Sequence, residues 1–375
     1  MEFLLLLKVL HVYKDFDPPV QGGIEGFMAR SCRYQRAWGD VSALTCSRSW
    51  RSRKVCHDGI SVQEVGEWGR FLQAPIAPLF PLHMRRAQPD VTVLHMPNPT
   101  AEVAWLVAGC PGSLVVRYHS DVVRQARAMK VYAPIQHQVL RRAARILPTS
   151  SQYLETSATL APHRERCQVV PLGIDVAAFQ QPEGPQVAAL HQEYGGSFVF
   201  FCGKHRYYKG LQVLVDAAAQ IGAPVVIAGD GPERPALIEA ASRKGVTVHF
   251  PGALSHAELV NHLHACAVFA FPSIARSEAF GMAIMEAHAA GCPVVATRLG
   301  TGVEFINLDG ETGYNVEPNN PTALADGINA LLANPAKAQE MGNAARKRIE
   351  TEFGADVIAE REWQCYQESL ACLPK

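Results

Sequence analysis

The sequence predicts an α/β protein with two Rossmann-like domains, each built on a doubly wound parallel sheet. Short apolar, β-branched runs alternate with helical stretches through the first half of the 375-residue chain, and the alternation restarts after a Pro/Gly/Gln-rich stretch at 179–186. Apolar strands separated by helices are typical of parallel sheets covered on both faces. The hydrophobic content of 48% is enough for two domains with real cores.

The first domain begins with a predicted strand at 8–13, KVLHVY, after the apolar start MEFLLLL. The apolar run is interrupted by Lys8 and lacks a small-residue cleavage site, so we interpret it as a buried strand rather than a signal peptide. Further strands are predicted at 41–46, 91–96, 113–119, 145–150 and 167–174.

The second domain repeats the pattern. Its strands are predicted at 198–203, 224–229, 246–252, 268–273 and 293–298, with helices near 209–221, 232–243, 255–266 and 280–290. The tail from Pro321 onward is predicted to be helical, with Gly354 as a break before the last helix.

Composition limits the classes of function. No later stretch has the roughly 20 apolar residues that a membrane-spanning helix needs. The ten cysteines are scattered without a CxxC pair or a zinc-type spacing, which indicates reduced thiols. Residues 1–172 carry 21 basic and 13 acidic side chains, whereas residues 173–375 carry 14 and 22. This asymmetry is consistent with contact with an anionic surface or substrate, and equally with ordinary solvated faces.

The stretch SEAFGMAIMEAHAAG at 277–291 places Glu278 and Glu286 around a predicted helix start formed by Gly281, Met282 and Ala283. Helix N-termini bind phosphate. Eight helical residues separate Cα atoms by about 12 Å, too far for a glycosidase carboxylate pair. The pair instead suits the two ends of a nucleoside diphosphate sugar whose diphosphate rests on the helix. The alternative is that Glu278 caps the helix and Glu286 is a solvated side chain.

Two other strand ends in this domain carry candidate ligand-binding residues. GKHRYYKG at 203–210 places Lys204, Arg206 and Lys209 at a helix start, where the helix dipole favours negative charge, so these cations indicate a phosphate clamp rather than helix stabilisation. Ordinary surface basic residues are the alternative. Gly229 lies in the loop IAGDGPER, which is predicted to line the nucleotide base.

In the first domain, Gly22 and Gly23 open a predicted helix, and His119 in RYHSD lies at the end of a predicted strand. The glycines do not form a GxGxxG fingerprint, and no acidic residue occupies the dinucleotide position, which disfavours a nicotinamide dehydrogenase. A lone histidine is more often structural. Because ligands bind beyond the carboxyl ends of strands in open α/β sheets, two such domains predict a site in a cleft between them.

Taken together, these segments resemble the retaining glycosyltransferases of family four, which have the GT-B fold of two Rossmann-like domains facing a cleft. The resemblance covers nearly the whole chain. It is carried by the E-x7-E motif from Glu278 to Glu286, the basic segment GKHRYYKG, PLGID at 171–175 and the region GTGVEFINLDGETGYNVEP at 300–318. In this fold the last helix usually returns to the first domain, which implies domains of 1–172 plus 355–375 and of 173–354.

The resemblance implies roles for the candidate residues. Glu278 would hold the donor sugar, Glu286 the ribose hydroxyls, and Lys209 the diphosphate, with Lys204 standing where the family usually has arginine. His119 corresponds to the family's histidine near the donor sugar. Gly22 and Gly23 match its glycine-rich loop beside the diphosphate and acceptor.

The implied reaction is a metal-independent hexosyl transfer that retains anomeric configuration and needs no cofactor. RYYKG and the GTG segment resemble mannosyltransferases of cell-surface polysaccharide and lipid-linked oligosaccharide synthesis, so GDP-mannose is the expected donor, with UDP-sugars as the alternative. The acceptor would be a glycan or a lipid-linked saccharide, and no nucleic-acid partner is predicted. No carboxylate stands out as a covalent nucleophile, which favours a front-face mechanism in which His119 and Glu278 orient the sugar.

We expect a cytoplasmic protein that is peripheral on the cytoplasmic face of the membrane. Basic residues of the first domain would face anionic lipid or a lipid diphosphate. They are Arg117, Arg124, Arg127, Lys130, Arg141, Arg142 and Arg145.

Two other functions remain open from the sequence. One is another enzyme of the same architecture, a phosphorylase or a sugar-nucleotide epimerase, although no lysine signature for pyridoxal phosphate is visible. The other is a two-domain sugar or nucleotide binding protein without turnover, although the periplasmic proteins of this kind need an export signal.

Overall fold

The computed structural model describes residues 6–20, 22–72, 74–121 and 126–371, and of residues 126–131 only the backbone. The chain divides into two compact units, Met1–Gly173 with Ala355–Lys375 (unit 1) and Ile174–Gly354 (unit 2). No helix in the described part of the chain is long and apolar enough to cross a bilayer.

Unit 1 contains, within its described residues, a seven-stranded sheet in the order β3-β4-β2-β1-β7-β8-β9. All neighbouring strands are parallel except β3 and β4. The strands are β1 Lys8–Val12, β2 Asp40–Cys46, β3 Arg53–His57, β4 Ile60–Val65, β5 Arg70–Phe71, β6 Ala74–Pro75, β7 Val91–Met96, β8 Ser113–Tyr118 and β9 Arg145–Pro148, with β5 and β6 forming a separate hairpin. The helices are α1 Gly23–Gln35, α2 Phe80–Ala87, α3 Pro99–Val107, α4 Ala126–Arg142, α5 Ser151–Thr156 and a 3-10 helix Ala161–Arg166.

Unit 2 contains a parallel six-stranded sheet in the order β12-β11-β10-β13-β14-β15, again counting described residues. The strands are β10 Val199–Cys202, β11 Val225–Ala228, β12 Val248–Gly252, β13 Val268–Phe271, β14 Val294–Thr297 and β15 Gly313–Val316. The helices are α6 Gly184–Tyr194, α7 Leu211–Ala217, α8 Arg234–Lys244, α9 His256–Ala265, α10 Met282–Ala289, α11 Gly302–Ile306, α12 Pro321–Leu332 and α13 Pro335–Glu352. Short 3-10 helices lie at Ala177–Phe179, Tyr207–Lys209 and Ala218–Gln220.

The central strands are apolar because they are covered on both faces. Every residue of β7, β8, β11, β13 and β14 is buried. The α/β class with parallel sheets is the one that the alternating pattern predicts. Three details differ from the expectation. The hairpin β3–β4 was missed, because β3 has no buried residue, and β15 was missed as well. The segment 167–174 is not a strand, because its only pairings are two isolated bridges at its ends, Cys167 with Ile146 and Ile174 with Gly354.

The last helix, α14 Ala355–Ala371, packs against the sheet of unit 1. The hydroxyl of Ser113 donates to the carbonyl of Ser369 over 2.9 Å. Deeper in the unit, Arg117 Nε lies 3.0 Å from Glu362 Oε1, and both side chains have no exposed surface. Arg117 also donates to the carbonyls of Leu147, Val170 and Pro171. A buried charge is tolerated only when it is paired and hydrogen-bonded in this way.

The burial of Arg117 corrects one expectation from the sequence. This side chain belongs to the interior of unit 1 and does not face lipid. Arg124 and the side chains of Arg127 and Lys130 lie outside the described residues. Arg141 and Arg142 are exposed, and Arg145 is partly buried beside Glu368.

Replacing Glu362 by alanine should lower the free energy of unfolding of unit 1 by about 3–5 kcal/mol, because it leaves the Arg117 guanidinium buried without its counter-charge. Glu368→Ala is the matched control on the same helix. Its carboxylate lies 3.6 Å from Arg145 and is half exposed, so its loss should cost about 0–1 kcal/mol. Tryptophan fluorescence during urea unfolding reports on this unit, since all five tryptophans lie in it. Equal shifts for the two variants would contradict a structural role for the buried pair.

Candidate active site

In unit 2, the loops that follow β10 and β11 touch backbone to backbone. His205 N–H, in the loop after β10, donates to the carbonyl of Asp230, in the loop after β11, over 2.8 Å. Gly229 has a φ of +110°, and a Cβ there would lie 2.0 Å from the carbonyl oxygen of Gly203. Only glycine allows this approach together with this backbone conformation. The predicted loop residue Gly229 thus brings the ends of two strands together.

The basic segment after β10 divides into an outer and an inner part. Lys204 and Arg206 are exposed, whereas Lys209 has only 13% of its side chain exposed. Lys209 ends a 3-10 turn, and its Nζ lies 4.9 Å from the centre of the Phe271 ring. Phe271 is the last residue of β13, so the turn carries Lys209 to the end of the neighbouring strand.

Lys209 and Glu278 form an ion pair, with 2.5 Å between Nζ and Oε2. The hydroxyl of Ser273 also donates to this oxygen, over 3.2 Å. Burial alone would lower the pKa of Lys209, but the charge and hydrogen bond of Glu278 outweigh it, so the pKa lies above its ordinary value. The amine is therefore cationic at neutral pH.

Glu286 belongs to the same cluster of charges. It lies on α10 and is partly buried, and its charge acts on both Lys209 and Cys202. Burial raises the pKa of the Cys202 thiol to about 12, and the carboxylate of Glu286 adds to that shift. The two glutamates of the E-x7-E motif are thus both electrostatic neighbours of one lysine.

Gly281 is the N-cap of α10 and has a φ of +98°. Met282 and Ala283 form the first turn, and both are partly exposed. The turn is held from one side by the next loop, because Gly302 N–H donates to the carbonyl of Ala279 over 2.9 Å. A Cβ at Gly302 would lie 2.6 Å from the Phe280 ring, which explains a glycine in the GTG segment. The sequence pointed to this segment without giving that reason.

In unit 1, His119 follows β8 and is 4% exposed. Its Nε2 lies 3.0 Å from His95 Nδ1, and the two rings stack with centroids 5.2 Å apart. Burial, and secondarily the charge of Arg117, hold the pKa of His119 well below its ordinary value, so the imidazole is neutral. Sequence reasoning singled out His119 but missed its histidine neighbours, which lie inside apolar strands.

Gly22 and Gly23 stand at the start of α1, as expected from the sequence. The position that a Cβ of Gly22 would take lies 2.2 Å from Glu25 Oε2, so a carboxylate already lies over this helix N-terminus. No atom comes within 4 Å of the Cβ position at Gly23. Among the described residues, no group of three or more His, Cys, Asp or Glu side chains is arranged to hold a metal ion.

Comparison with known proteins assigns the chain to a family. The family described as glycosyl transferases group 1 matches residues 189–348, and the one described as a glycosyl transferase 4-like domain matches residues 22–173. Over 358 residues the chain is 33% identical to the D-rhamnosyltransferase WbpZ of Pseudomonas aeruginosa, with 93% of each chain covered. Over 356 residues it is 32% identical to O-antigen chain mannosyltransferase C of Escherichia coli, with 93% and 95% covered. The chain therefore belongs to the family-four glycosyltransferases.

Two further similarities extend the comparison to another relative and to a solved structure. The chain is 26% identical over 386 residues to a GDP-mannose-dependent phosphatidylinositol monomannoside mannosyltransferase of Corynebacterium glutamicum, with 94% and 96% covered. The crystal structure of HepE from Anabaena in complex with UDP matches with a TM-score of 0.79 at 19% identity, over 96% of this chain and 100% of that one. This likeness confirms the GT-B class, with its two Rossmann-like domains, that the sequence predicts.

Proposed function

We propose that this glycosyltransferase moves mannose, or a closely related hexose, from GDP-mannose to a glycan or lipid-linked acceptor, with retention of configuration and without an obligatory metal ion. The observation that carries the proposal is the partly buried Lys209–Glu278 pair beside the N-terminus of α10. It puts a cation, a carboxylate and a set of backbone N–H groups within reach of one ligand.

The diphosphate of the donor would lie against Lys209 and the first turn of α10. A helix N-terminus and a cationic lysine both favour a phosphate group. The exposed Lys204 and Arg206 add positive charge on the preceding loop. Lysine offers a point charge rather than the planar fork of arginine, so Lys204 would attract the diphosphate without fixing its orientation.

The two glutamates would bind hydroxyl groups at opposite ends of the donor. Ionised carboxylates only accept hydrogen bonds, and the sugar and the ribose both present hydroxyl donors. Glu278 is held by Lys209 and Ser273, which suits a sugar that must be oriented for reaction. Glu286 lies on α10, eight residues after Glu278, and would bind the ribose hydroxyls.

The transfer step follows from these groups. The bond between the anomeric carbon and the diphosphate oxygen breaks, and the acceptor oxygen forms the new bond on the same face. The acceptor proton passes to the leaving phosphate oxygen, and Lys209 with the α10 N–H groups stabilises the negative charge that develops there. Glu278 orients the sugar in this mechanism, a role that the resemblance also implies for His119. A glycosyl adduct on an Asp or Glu side chain would contradict it.

The relatives support the choice of sugar. Their names include a D-rhamnosyltransferase, an O-antigen chain mannosyltransferase and a GDP-mannose-dependent mannosyltransferase. A role in cell-surface polysaccharide synthesis agrees with the second of these. A UDP-sugar donor is the second candidate, because HepE was crystallised with UDP.

Lys209→Met should lower kcat/KM for GDP-mannose by about 100–1,000-fold, because one preorganised charge facing the leaving group is lost. GDP release with a lipid-linked mannose oligosaccharide as acceptor measures the effect. The one-bond carbon–proton coupling at the anomeric centre of the product reports retention. The same assay with UDP-glucose, and with EDTA, tests the donor and the metal independence.

Lys244→Met is the matched control for this experiment. Lys244 is also a unit 2 lysine paired with an acid, Asp216, over 3.2 Å, but it is half exposed on the surface. Its loss should leave kcat/KM within about twofold, as expected for an exposed pair. Equal activities of the Lys209→Met and Lys244→Met enzymes would exclude the proposed diphosphate site.

We also propose that unit 1 binds the anionic cytoplasmic face of a membrane, through exposed aromatic loops rather than through Arg117. Trp50, Trp68 and Phe71 are 71%, 77% and 69% exposed. Their loops are joined, because Glu67 N–H donates to the carbonyl of Ser49 over 2.7 Å. We call the set Trp50, Trp68, Phe71, Leu72, Ile76 and Leu79 the aromatic loop surface; all six side chains are exposed.

The charge around the aromatic loop surface fits an anionic bilayer. The segment SRSWRSRKVCH at 47–57 holds four basic residues and no acidic one. Arg48 and Arg53 pair with acidic side chains outside the segment, whereas Arg51 and Lys54 are exposed. The Arg51 guanidinium lies 4.6 Å from the Trp50 ring centre. Tryptophan prefers the headgroup level of membranes, and each basic residue near an anionic surface contributes about 1 kcal/mol of attraction. These loops follow β2 and β4, at the edge of the sheet where the strand ending before His119 also finishes.

Trp50→Ser combined with Trp68→Ser should reduce sedimentation with phosphatidylglycerol-containing vesicles at least tenfold, since two interfacial anchors are removed. Val107→Ser is the control, because Val107 is 68% exposed on α3 of the same unit. Equal binding to purely phosphatidylcholine vesicles would contradict the electrostatic part. Unchanged sedimentation with a raised KM for the acceptor would reassign the tryptophans to acceptor sugar binding.

A further inference from the structure

Three buried histidines lie on one face of the unit 1 sheet, and each lies nearer to the carboxyl edge of the sheet than the one before. His11 belongs to β1 and pairs in register with Val93, while His95 lies two residues further along β7. His95 pairs with Arg117, and His119 lies two residues beyond that partner. Because side chains two residues apart share a face of a sheet, the register itself places the three rings in a diagonal row.

The three rings are hydrogen-bonded in series. His11 Nδ1 lies 3.0 Å from His95 Nε2, and His95 Nδ1 lies 3.0 Å from His119 Nε2. At the far end, His11 Nε2 lies 2.9 Å from Gln35 Oε1. The Gln35 amide nitrogen donates to Glu362 Oε2 over 3.0 Å. A continuous chain of side chains thus runs from α14 to His119.

The far end of this chain determines its direction. Glu362 faces the Arg117 guanidinium at 3.0 Å and accepts from the Ser31 hydroxyl over 2.8 Å, so it acts as a carboxylate acceptor. Burial raises the pKa of Glu362, and the charge of Arg117 opposes that shift. Gln35 must therefore turn its NH₂ group to Glu362 and its oxygen to His11. His11 Nε2 then carries the proton.

The position of the proton on His11 determines its position on His95, and that in turn determines its position on His119. Burial lowers the pKa of His11 to about 4 and holds those of His95 and His119 well below their ordinary value, so each ring is neutral and has one N–H. With its proton on Nε2, His11 accepts at Nδ1 from His95 Nε2. His95 in turn accepts at Nδ1 from His119 Nε2.

The last ring is left with a buried lone pair. With its proton on Nε2, His119 has an unprotonated Nδ1, and that atom is buried without a hydrogen-bond partner among the described residues. Buried polar atoms without partners are uncommon, and one at a strand end that ligands approach calls for an explanation. The opposite tautomer would put a proton there and break the bond to His95.

We propose that Gln35, His11 and His95 are positioning residues that hold His119 in the Nε2–H tautomer, so that its Nδ1 accepts a hydrogen bond from a hydroxyl of the bound ligand. Only the identity of that ligand, a sugar, rests on the proposed function. The tautomer follows from the series of hydrogen-bonded side chains itself. In this arrangement His119 cannot donate to the ligand. It selects for a hydroxyl donor at that point, because a ligand without one leaves the buried acceptor unpaired.

The tautomer is tested on the wild-type full chain by long-range ¹H–¹⁵N correlation spectra of protein labelled in its 14 histidines. The spectrum of the His119→Asn variant identifies the His119 signals by their loss. We expect one protonated Nε2 and one unprotonated Nδ1. A protonated Nδ1, or protons on both nitrogens at neutral pH, would overturn the proposal.

Variants of His95 separate positioning from packing. His95→Met removes both hydrogen bonds, whereas His95→Gln keeps one donor and one acceptor. We expect the Met variant to lose about tenfold in kcat/KM and to show both His119 tautomers, and the Gln variant to stay within about threefold with the Nε2–H tautomer retained. Equal losses in both variants with an unchanged tautomer would show that His95 serves packing alone.

His163→Met provides the matched control. His163 is buried in the same unit and pairs with His137 over 3.2 Å, but this pair is not part of the chain to His119. It should leave kcat/KM and the His119 signals unchanged. If no nucleotide sugar is turned over while the Nε2–H tautomer is observed, the proposed function fails and the positioning chain stands.

Discussion

The buried pair of Arg117 and Glu362 is the interaction on which unit 1 depends most. It brings one charge from the central sheet and one from the last helix, and each would be costly to bury alone. The pair therefore makes α14 part of a domain from which it is separated by some 180 residues of sequence. Glu362 also orients Gln35, so the interaction that joins the last helix to the sheet is the one that directs the histidine chain.

In unit 2, the candidate active-site residues lie instead on loops at the carboxyl ends of parallel strands. Glycines allow the backbones after β10 and β11 to touch, and a 3-10 turn carries Lys209 to the end of β13. The lysine then pairs with Glu278 and acts on Glu286. Packing at the rigid strand ends thus fixes the positions of long side chains such as Lys209, which would otherwise be flexible.

The sequence was most informative where a local rule applies. Apolar alternation predicted the α/β class, and strand-end glycines and charges pointed to the segments around Lys209 and Glu278. The sequence did not reveal which residues become neighbours where this depends on the pairing register of the strands. His11 and His95 lie inside apolar strands and looked like ordinary core residues, and Arg117 looked like a surface cation. Only the pairing of β1, β7 and β8 brings these side chains together.

Calorimetric titration with GDP, UDP and ADP in the absence of divalent metal, repeated on Glu286→Ala, would show whether a nucleoside diphosphate binds at the strand ends of unit 2. We expect selective binding of GDP that weakens at least tenfold in the variant, since the ribose hydroxyls lose a charged acceptor. Failure of all three nucleotides to bind, or equal binding of GDP to both proteins, would contradict this expectation.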